Sequence, residues 1–369
     1  MEPDNLGNAG LAPEISTEWE VGADFGLFDD RLSLDVTYWD RTVSDVLVPR
    51  QFPPSGGFTS AQLFNLGEMV AHGLEIGLNG AVITTPNFSL DAFVNAAYLS
   101  QEVSDMGEAP PIKVGYYRYR TWIAEGYAPG CFFTRQLADS PTPFDQNGDG
   151  VVDSEAEMLA FLSSPVTPDD LVMVAAPLTD GPAGEYYRGK PVPDWEGSFG
   201  GTISLFGNVR INTQFDYAFG NYYTQDLSGS FRRSHWLLGR NTPETAEIEA
   251  VLVNPASTAQ ERLAAAQRWT QEVSLSPWSG LNAIREADFL RWREVSVSYS
   301  LPGDLIEGLG VDRATLTAGA RNLMLWTKYE GIDPQNNVIS DSGSSFVQGI
   351  DGWRPGIPRR FNFGIRVGF

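Results

Sequence analysis

The chain ends in the stretch Arg359-Arg360-Phe361-Asn362-Phe363-Gly364-Ile365-Arg366-Val367-Gly368-Phe369. Its apolar residues recur at every second position, so in an extended strand they all fall on one face, and the polar or small residues fall on the other. Such a strand looks the same whether its apolar face meets a protein core or lipid. The remainder of the chain therefore has to decide between a soluble β-protein and a membrane-spanning one.

Composition excludes several classes of protein. The 369 residues include 25 Lys and Arg against 47 Asp and Glu, a net charge of −22, which argues against a nucleic-acid partner because phosphate binding needs a basic surface. One cysteine and two histidines leave no disulfide framework and little material for a zinc site. No apolar run is long enough for a helical membrane span, which needs about 18 residues. The first residues do not resemble a signal peptide, so we expect the beginning of an exported protein to be missing.

Alternation of apolar and polar residues predicts about nine strands. They cover residues 18–27, 32–38, 74–79, 88–98, 197–206, 209–220, 294–301, 313–325 and 360–369. Their connections alternate between short ones, at 29–30, 84–87, 207–208 and 302–312, and long ones, at about 46–70, 104–196, 225–286 and 328–358. Soluble sandwiches have no reason to place every long connection at one end, whereas outer-membrane barrels combine short periplasmic turns with long extracellular loops. The sequence therefore predicts an all-β fold, a transmembrane antiparallel β-barrel.

The odd number of strands, beginning at the long-loop end, predicts that the chain is the C-terminal part of a larger barrel. In a barrel with a polar lumen, the alternation assigns each residue to a face. We expect outer-membrane lipid to contact Phe25, Val36, Ile76, Val94, Phe215, Val297 and Ile365. We expect the lumen to be lined by Asp24, Asp35, Glu75, Asn95, Asp216, Ser296 and Arg366.

Several segments, in order, resemble SusC/RagA-type TonB-linked outer-membrane transporters. The first runs from Leu11-Ala12-Pro13-Glu14 to Leu27-Phe28-Asp29-Asp30-Arg31-Leu32, and the second is Asn65-Leu66-Gly67-Glu68-Met69-Val70-Ala71-His72-Gly73-Leu74-Glu75. The most specific is Arg321-Asn322-Leu323 followed by Trp326-Thr327-Lys328-Tyr329-Glu330-Gly331-Ile332-Asp333-Pro334. Ala71-His72 departs from the usual Asn-Lys or similar pair. The motifs cover nearly the whole chain.

This resemblance implies TonB-dependent import of a bulky nutrient, with an N-terminal plug domain inside the barrel. Family substrates are mostly oligosaccharides, with peptides as a second class, and a SusD-like surface lipoprotein usually caps the barrel. Contact with the TonB complex is expected through an N-terminal region that is missing here. Without the plug, this portion is not expected to transport by itself.

One loop has the spacing of an EF-hand-like calcium site, Asp145-Gln146-Asn147-Gly148-Asp149-Gly150-Val151-Val152-Asp153. Calcium would be bound by the side chains of Asp145, Asn147 and Asp149, by the Val151 carbonyl and by Asp153. The usual twelfth-position bidentate ligand is replaced by Ala156, which weakens the match. An Asx-rich turn in an acidic loop is the equal alternative.

The longest loop carries aromatic residues that are candidates for sugar stacking, namely Tyr116, Tyr117, Tyr119 and Trp122. Arg118 and Arg120 lie between them and are suited to hydrogen-bond sugar hydroxyls. The favoured alternative is that these aromatic residues pack the loop onto the barrel rim or a partner. Residues 243–273 are predicted to be helical, and Cys131 is predicted to be a partly buried loop thiol.

No arrangement of residues indicates an enzyme, because neither histidine belongs to a recognisable nucleophile or metal motif. Two other functions remain open. One is a secreted, calcium-dependent glycan-binding β-protein. The other is a siderophore or vitamin receptor of the same barrel superfamily.

Overall fold

The computed structural model describes residues 8–50, 55, 62–107, 109–138, 144–145, 154–234, 242–274, 281, 284–338 and 346–369. Nine long strands form one sheet in which each strand pairs antiparallel with its sequence neighbours. They are β1 (Ile15–Leu27), β2 (Leu32–Arg50), β3 (Gln62–Thr84), β4 (Phe88–Asp105), β5 (Trp195–Leu205), β6 (Val209–Phe219), β7 (Phe289–Ser300), β8 (Arg313–Thr327) and β9 (Arg360–Gly368). The predicted strand number and sequential order are confirmed.

The pairing register places the predicted lipid-facing and lumen-facing residues on opposite faces of this sheet. Asp24 is opposite Asp35, which is opposite Gly77 and then Asn95. On the other face, Val94 is opposite Phe199, which is opposite Phe215. The apolar face is open to the surroundings: Phe25 is 49%, Val94 41%, Val297 40% and Ile365 73% exposed. An apolar surface of this extent is suited to lipid.

Aromatic rings gather on the apolar face towards the ends that carry the long loops. Tyr98 lies 5.1 Å from Trp195, and Phe215 lies 5.5 Å from Trp292, measured between ring centroids. The indole N–H of Trp292 donates to the Thr213 hydroxyl at 2.9 Å, so this polar group is satisfied on a face without water. These contacts fit an interfacial aromatic belt.

A bulge in β7 keeps apolar residues on one face of the sheet and charged residues on the other. Gln214 pairs with Glu294 and the next residue, Phe215, pairs with Trp292, so Arg293 is the extra residue. Because of it, both Arg293 and Glu294 form ion pairs on the polar face, with Asp216 and Arg321 respectively. Trp292 remains on the apolar face.

The predicted loop at 46–70 is wrong. β2 extends to Arg50 and β3 begins at Gln62, with Val46 opposite Leu66 and Val48 opposite Phe64. The strands continue because Val46 and Val48 are buried against the other outer loops, in a cluster that short-range alternation cannot anticipate. The connections that follow β4, β6 and β8 are long, as predicted.

These long connections contain short strands and helices. The short strands are Ile112–Lys113, Thr121–Ile123, Cys131–Thr134, Phe144–Asp145, Val172–Met173, Tyr186–Gly189, Tyr223–Asp226, Ile284–Glu286 and Ile350–Asp351. The helices are α1 (Glu155–Phe161), α2 (Leu227–Ser234), α3 (Pro243–Val253) and α4 (Ala259–Ser274), and α5 (Gly303–Ile306) lies in a short turn. Short 3-10 turns are Pro168–Asp170, Pro182–Gly184 and Glu307–Leu309. Among the described residues, no helix is long and apolar enough to cross a membrane.

Helices α1, α3 and α4 pack together in a helical lobe around Met158, Leu252 and Trp269. Ser154 and Glu157 form a capping box that starts α1, and Thr242 followed by Pro243 starts α3. The predicted helical character of residues 243–273 is confirmed. The lobe joins the connection after β4 to the connection after β6.

Candidate functional site

The polar face of the sheet carries a cavity of about 630 Å³. Carboxylates from four strands line it, namely Asp35, Glu75, Glu196 and Asp216, and Asp216 is ion-paired with Arg293. At the loop end of the cavity, Tyr222 and Gln335 contribute the wall. A wall of this kind offers hydrogen-bond acceptors, so it suits a polar occupant.

Charges on the polar face are separated along the sheet. The register places Glu18, Glu20, Asp24, Asp35, Glu75, Asp91 and Glu196 on the β1–β5 part of this face, with Arg41 paired to Glu18. The β6–β9 part instead carries Arg210, Arg293, Arg313, Arg321, Arg360 and Arg366, with Asp216 and Glu294. An occupant that contacts both parts meets fields of opposite sign.

The long connections fold over the loop end of the polar face. Val43, Met69 and Val103, near the loop ends of β2–β4, pack in one cluster with Tyr119 and Ile350 from two different connections. Burial of these apolar side chains holds the connections against the strands. The loops therefore border the entrance to the cavity.

Gln225 joins two of these connections. Its side chain accepts a hydrogen bond from the Arg120 backbone N–H at 3.1 Å and donates one to the Arg118 carbonyl at 2.9 Å. Its backbone pairs with Ile350 in a parallel strand pair. Sequence reasoning missed Gln225, because its partners are more than 100 residues away and no local pattern marks them.

Arg120 and Glu185 form a buried ion pair at 3.3 Å within the outer loops. Burial raises the pKa of Glu185, and the positive charges of Arg120 and Lys113 oppose that shift. Burial likewise lowers the pKa of Lys113, to about 8, with a further contribution from Arg120. Because both partners are buried, the pair does not offer its charges to a ligand, and loss of either partner would leave an uncompensated charge inside the loops.

Two buried carboxylates, Asp226 and Asp351, lie opposite each other on neighbouring parallel strands. Asp351 accepts hydrogen bonds from the Tyr329 hydroxyl at 2.9 Å and from Asn336 at 3.3 Å. Burial is the main cause of a raised pKa at Asp351, and the charge of Asp226 adds to it. Within the described ranges, no cluster of three or more His, Cys, Asp or Glu has the arrangement of a metal site.

The four aromatic residues predicted to contact substrate divide into two pairs. Tyr119 and Trp122 are 1% and 8% exposed and pack inside the loops, which corrects the expectation that all four offer their rings to a sugar. Tyr116 and Tyr117 are 41% and 73% exposed. The alternative of loop packing therefore holds for the first pair, and the second pair keeps open ring surface.

Of the predicted calcium ligands, Asp145 is buried in a short strand that pairs with Val172. Asn147, Asp149, Val151 and Asp153 lie outside the described residues. The calcium site stays a prediction.

Cys131 is fully buried rather than partly buried. It lies in the short strand Cys131–Thr134, with its Sγ 3.7 Å from the Trp122 carbonyl oxygen, and burial raises the pKa of its thiol to about 12. This thiol is therefore unreactive in the folded protein.

The sequence also matches a known protein family. Residues 3–323 match the model of the family "TonB dependent receptor-like, beta-barrel". The chain belongs to this family. TonB-dependent receptors of this kind are outer-membrane proteins, so the apolar face of the sheet is the lipid-facing one and the polar face lines the barrel.

Relatives of the chain are also named TonB-dependent receptors. It is 22% identical to TonB-dependent receptor P26 of Formosa agariphila over 98% of the chain and 35% of that protein. It is 22% identical to TonB-dependent receptor SusC of Bacteroides thetaiotaomicron over 89% of the chain and 30% of that protein. The chain thus spans about a third of the length of the curated relatives it matches.

A solved structure of the RagAB peptide transporter has the same fold. It superposes with a TM-score of 0.64 at 21% identity, covering 96% of this chain and 35% of that chain. The nine-stranded sheet and its outer connections are therefore a TonB-dependent receptor barrel portion, as the sequence motifs predicted.

Proposed function

We propose that this protein takes part in TonB-dependent import of a bulky nutrient across the outer membrane, and that the nutrient is an oligosaccharide. The observation that carries the proposal is the two-faced nine-stranded sheet, whose polar face holds the cavity of about 630 Å³ beneath the outer loops. A wall that is apolar outside and polar inside provides a route for a hydrophilic molecule.

Exposed aromatic residues at the loop end support an oligosaccharide. Tyr116 and Tyr117 present ring surface to solvent beside Arg118 and Lys113. Sugar rings have apolar C–H faces that stack on aromatic rings and hydroxyls that accept hydrogen bonds from cationic groups. Import of peptides is the second candidate, favoured by the fold shared with the RagAB peptide transporter.

Partners follow from the same proposal. A SusD-like lipoprotein would cover the outer loops, and the TonB complex would supply energy from the inner membrane. The calcium loop that includes Asp145 would stabilise the longest connection from outside.

Uptake by cells tests the proposal. A strain that lacks the gene, and the same strain with the gene restored, are given fluorescent oligosaccharides and fluorescent peptides with and without a protonophore. We expect energy-dependent accumulation in the periplasm that needs the gene. Surface binding without accumulation would instead support a glycan-binding protein, and gene-dependent uptake of peptides alone would support the second candidate.

A further inference from the structure

We propose that Arg118, Tyr116 and Trp353 form a binding site for sugar rings that carry a carboxylate, as in an acidic oligosaccharide. The site narrows the substrate class within the proposed function and rests on it.

Three outer connections meet at this site. Tyr116 and Arg118 belong to a tight turn after β4, closed by the Tyr119 N–H donating to the Tyr116 carbonyl at 2.8 Å. Phe231 comes from α2, and Trp353 comes from the connection before β9. The rings of Phe231 and Trp353 meet edge to face at 5.0 Å, and the Arg118 Cζ lies 6.0 Å from the Phe231 centroid.

Arg118 is held by aromatic rings rather than by a carboxylate. Its Cζ lies 4.6 Å from the Tyr116 ring and 5.3 Å from the Tyr119 ring. Its Nε is buried, and among the described residues no hydrogen-bond partner reaches it. Among the ion pairs of the described residues, none includes Arg118, although the chain carries 47 acidic residues.

This arrangement favours an anionic ligand. Neighbouring rings fix the guanidinium and lower the local dielectric constant, which strengthens its attraction for a charge. A guanidinium offers two parallel N–H groups that match a carboxylate in geometry. Lys113, whose Nζ lies 4.8 Å from the adjacent Tyr117 ring, adds positive potential.

Trp353 supplies an apolar surface on the other side of the Phe231 contact, since its ring and the Arg118 guanidinium both lie against Phe231. It is 59% exposed, and its backbone has the left-handed φ of 52°, rare for a tryptophan. The Ser228 hydroxyl accepts a hydrogen bond from its backbone N–H, so the position of the residue is fixed by α2. An exposed indole in a fixed position is suited to stack on the C–H face of a sugar.

A uronic acid combines both features in one ring, because it has a C–H face and a carboxylate. Of the two buried carboxylates in these connections, Asp351 is engaged inside the loops, where it accepts hydrogen bonds from Tyr329 and Asn336. Charges farther away are screened, since the Debye length in physiological salt is about 8 Å.

Calorimetric binding to the protein in detergent tests the site. The probes are uronate-containing oligosaccharides, each beside its carboxyl-reduced counterpart, and a tripeptide with a free C-terminal carboxylate. We expect the uronates to bind more tightly than the reduced sugars. Arg118→Gln should weaken uronate binding about 10-fold or more and leave the reduced sugars unaffected, because it removes the charge-assisted bonds to the carboxylate.

Further variants distinguish the contribution of the Trp353 ring to sugar affinity from an effect of unfolded outer loops. Trp353→Ala should weaken both kinds of sugar by about 3- to 10-fold, and Trp353→Phe should restore most of the affinity. The exposed Arg268→Gln in α4 and Leu178→Ala in the connection after β4 are the matched controls. Persistent protection of the buried Cys131 thiol from alkylation shows that each variant keeps its loops folded.

The proposal is overturned if reduced sugars bind as tightly as uronates, if Arg118→Gln has no effect in folded loops, or if only the tripeptide responds to it. These outcomes are distinct from failure of the proposed function. Energy-dependent import of a uronate-containing oligosaccharide that Arg118→Gln leaves unchanged would refute the site and leave the transport proposal standing.

Discussion

Removing the guanidinium of Arg262 should release the helical lobe from its closed arrangement. Arg262 is 1% exposed at the first turn of α4. Its guanidinium donates to the carbonyl oxygens of Leu162 at 2.8 Å and Asn254 at 2.7 Å, the residues that end α1 and α3, and to that of Ser163 at 3.4 Å. One cation thus serves the C-terminal ends of two helices that belong to different connections.

The expected loss follows from these contacts. Each hydrogen bond from a charged donor contributes about 1.5–3 kcal/mol, and a cation at a helix C-terminus adds about 0.3–1 kcal/mol. Desolvation of the guanidinium offsets part of this gain, and its Nε has no hydrogen-bond partner in the part of the chain that the structure describes. In Arg262→Met the apolar stem remains, but the buried Leu162 carbonyl and the partly buried Asn254 carbonyl lose their donor. We expect the lobe to lose about 3 kcal/mol against local opening.

Hydrogen exchange and limited proteolysis measure this opening. Amides of α1 and α3 should exchange about 100-fold faster in Arg262→Met, while amides of the nine-stranded sheet are unchanged. Arg268→Met, an exposed change on the same helix, is the control. Equal protection of α1 in the two variants would refute the role of Arg262 as the link between the connections.

Three further predictions concern the outer loops. Because burial raises the pKa of Cys131 to about 12, its thiol should resist iodoacetamide until the loops unfold, whereas Ala264→Cys should react at once. Burial lowers the pKa of Lys113 from 10.5 to about 8. Between these two pH values the folded state binds fewer protons than the unfolded state, so the stability of the loops should rise with pH. NMR of methylated lysines should show a titration near 8 that Lys113→Arg removes. If calcium binds, Asp145→Ala with Asp149→Ala should abolish calcium-dependent protection of this loop from proteolysis, and equal cleavage in calcium and chelator would leave only an acidic turn.

The barrel strands were predictable because one face of the sheet contacts lipid and the other contacts water. Apolar and polar residues therefore alternate along each strand. The terminal strand and β6 show this directly, and Val94 and Asn95 fall on the predicted faces. The alternation of short and long connections supplied the second signal, since it depends on chain length and needs no contact information.

The outer loops were not predictable in the same way, because their structure depends on contacts between distant residues. Val46 and Val48 continue β2 only because other connections cover them. Gln225 joins the Arg118–Arg120 backbone from more than 100 residues away. Trp353 and Phe231 are single residues in different connections, and no spacing in the sequence relates either one to Arg118.

Accessibility of spin labels in a lipid bilayer tests the central claim most directly. Single cysteines are introduced, in a Cys131→Ser background, at adjacent positions of three strands, namely Val94 and Asn95, Ser296 and Val297, and Ile365 and Arg366. We predict that labels at Val94, Val297 and Ile365 collide with oxygen dissolved in lipid, and that labels at Asn95, Ser296 and Arg366 collide with a water-soluble nickel chelate. Equal accessibility of both partners in each pair, or chelate access at Val94 and Ile365, would contradict a barrel wall with lipid on one side and a polar lumen on the other.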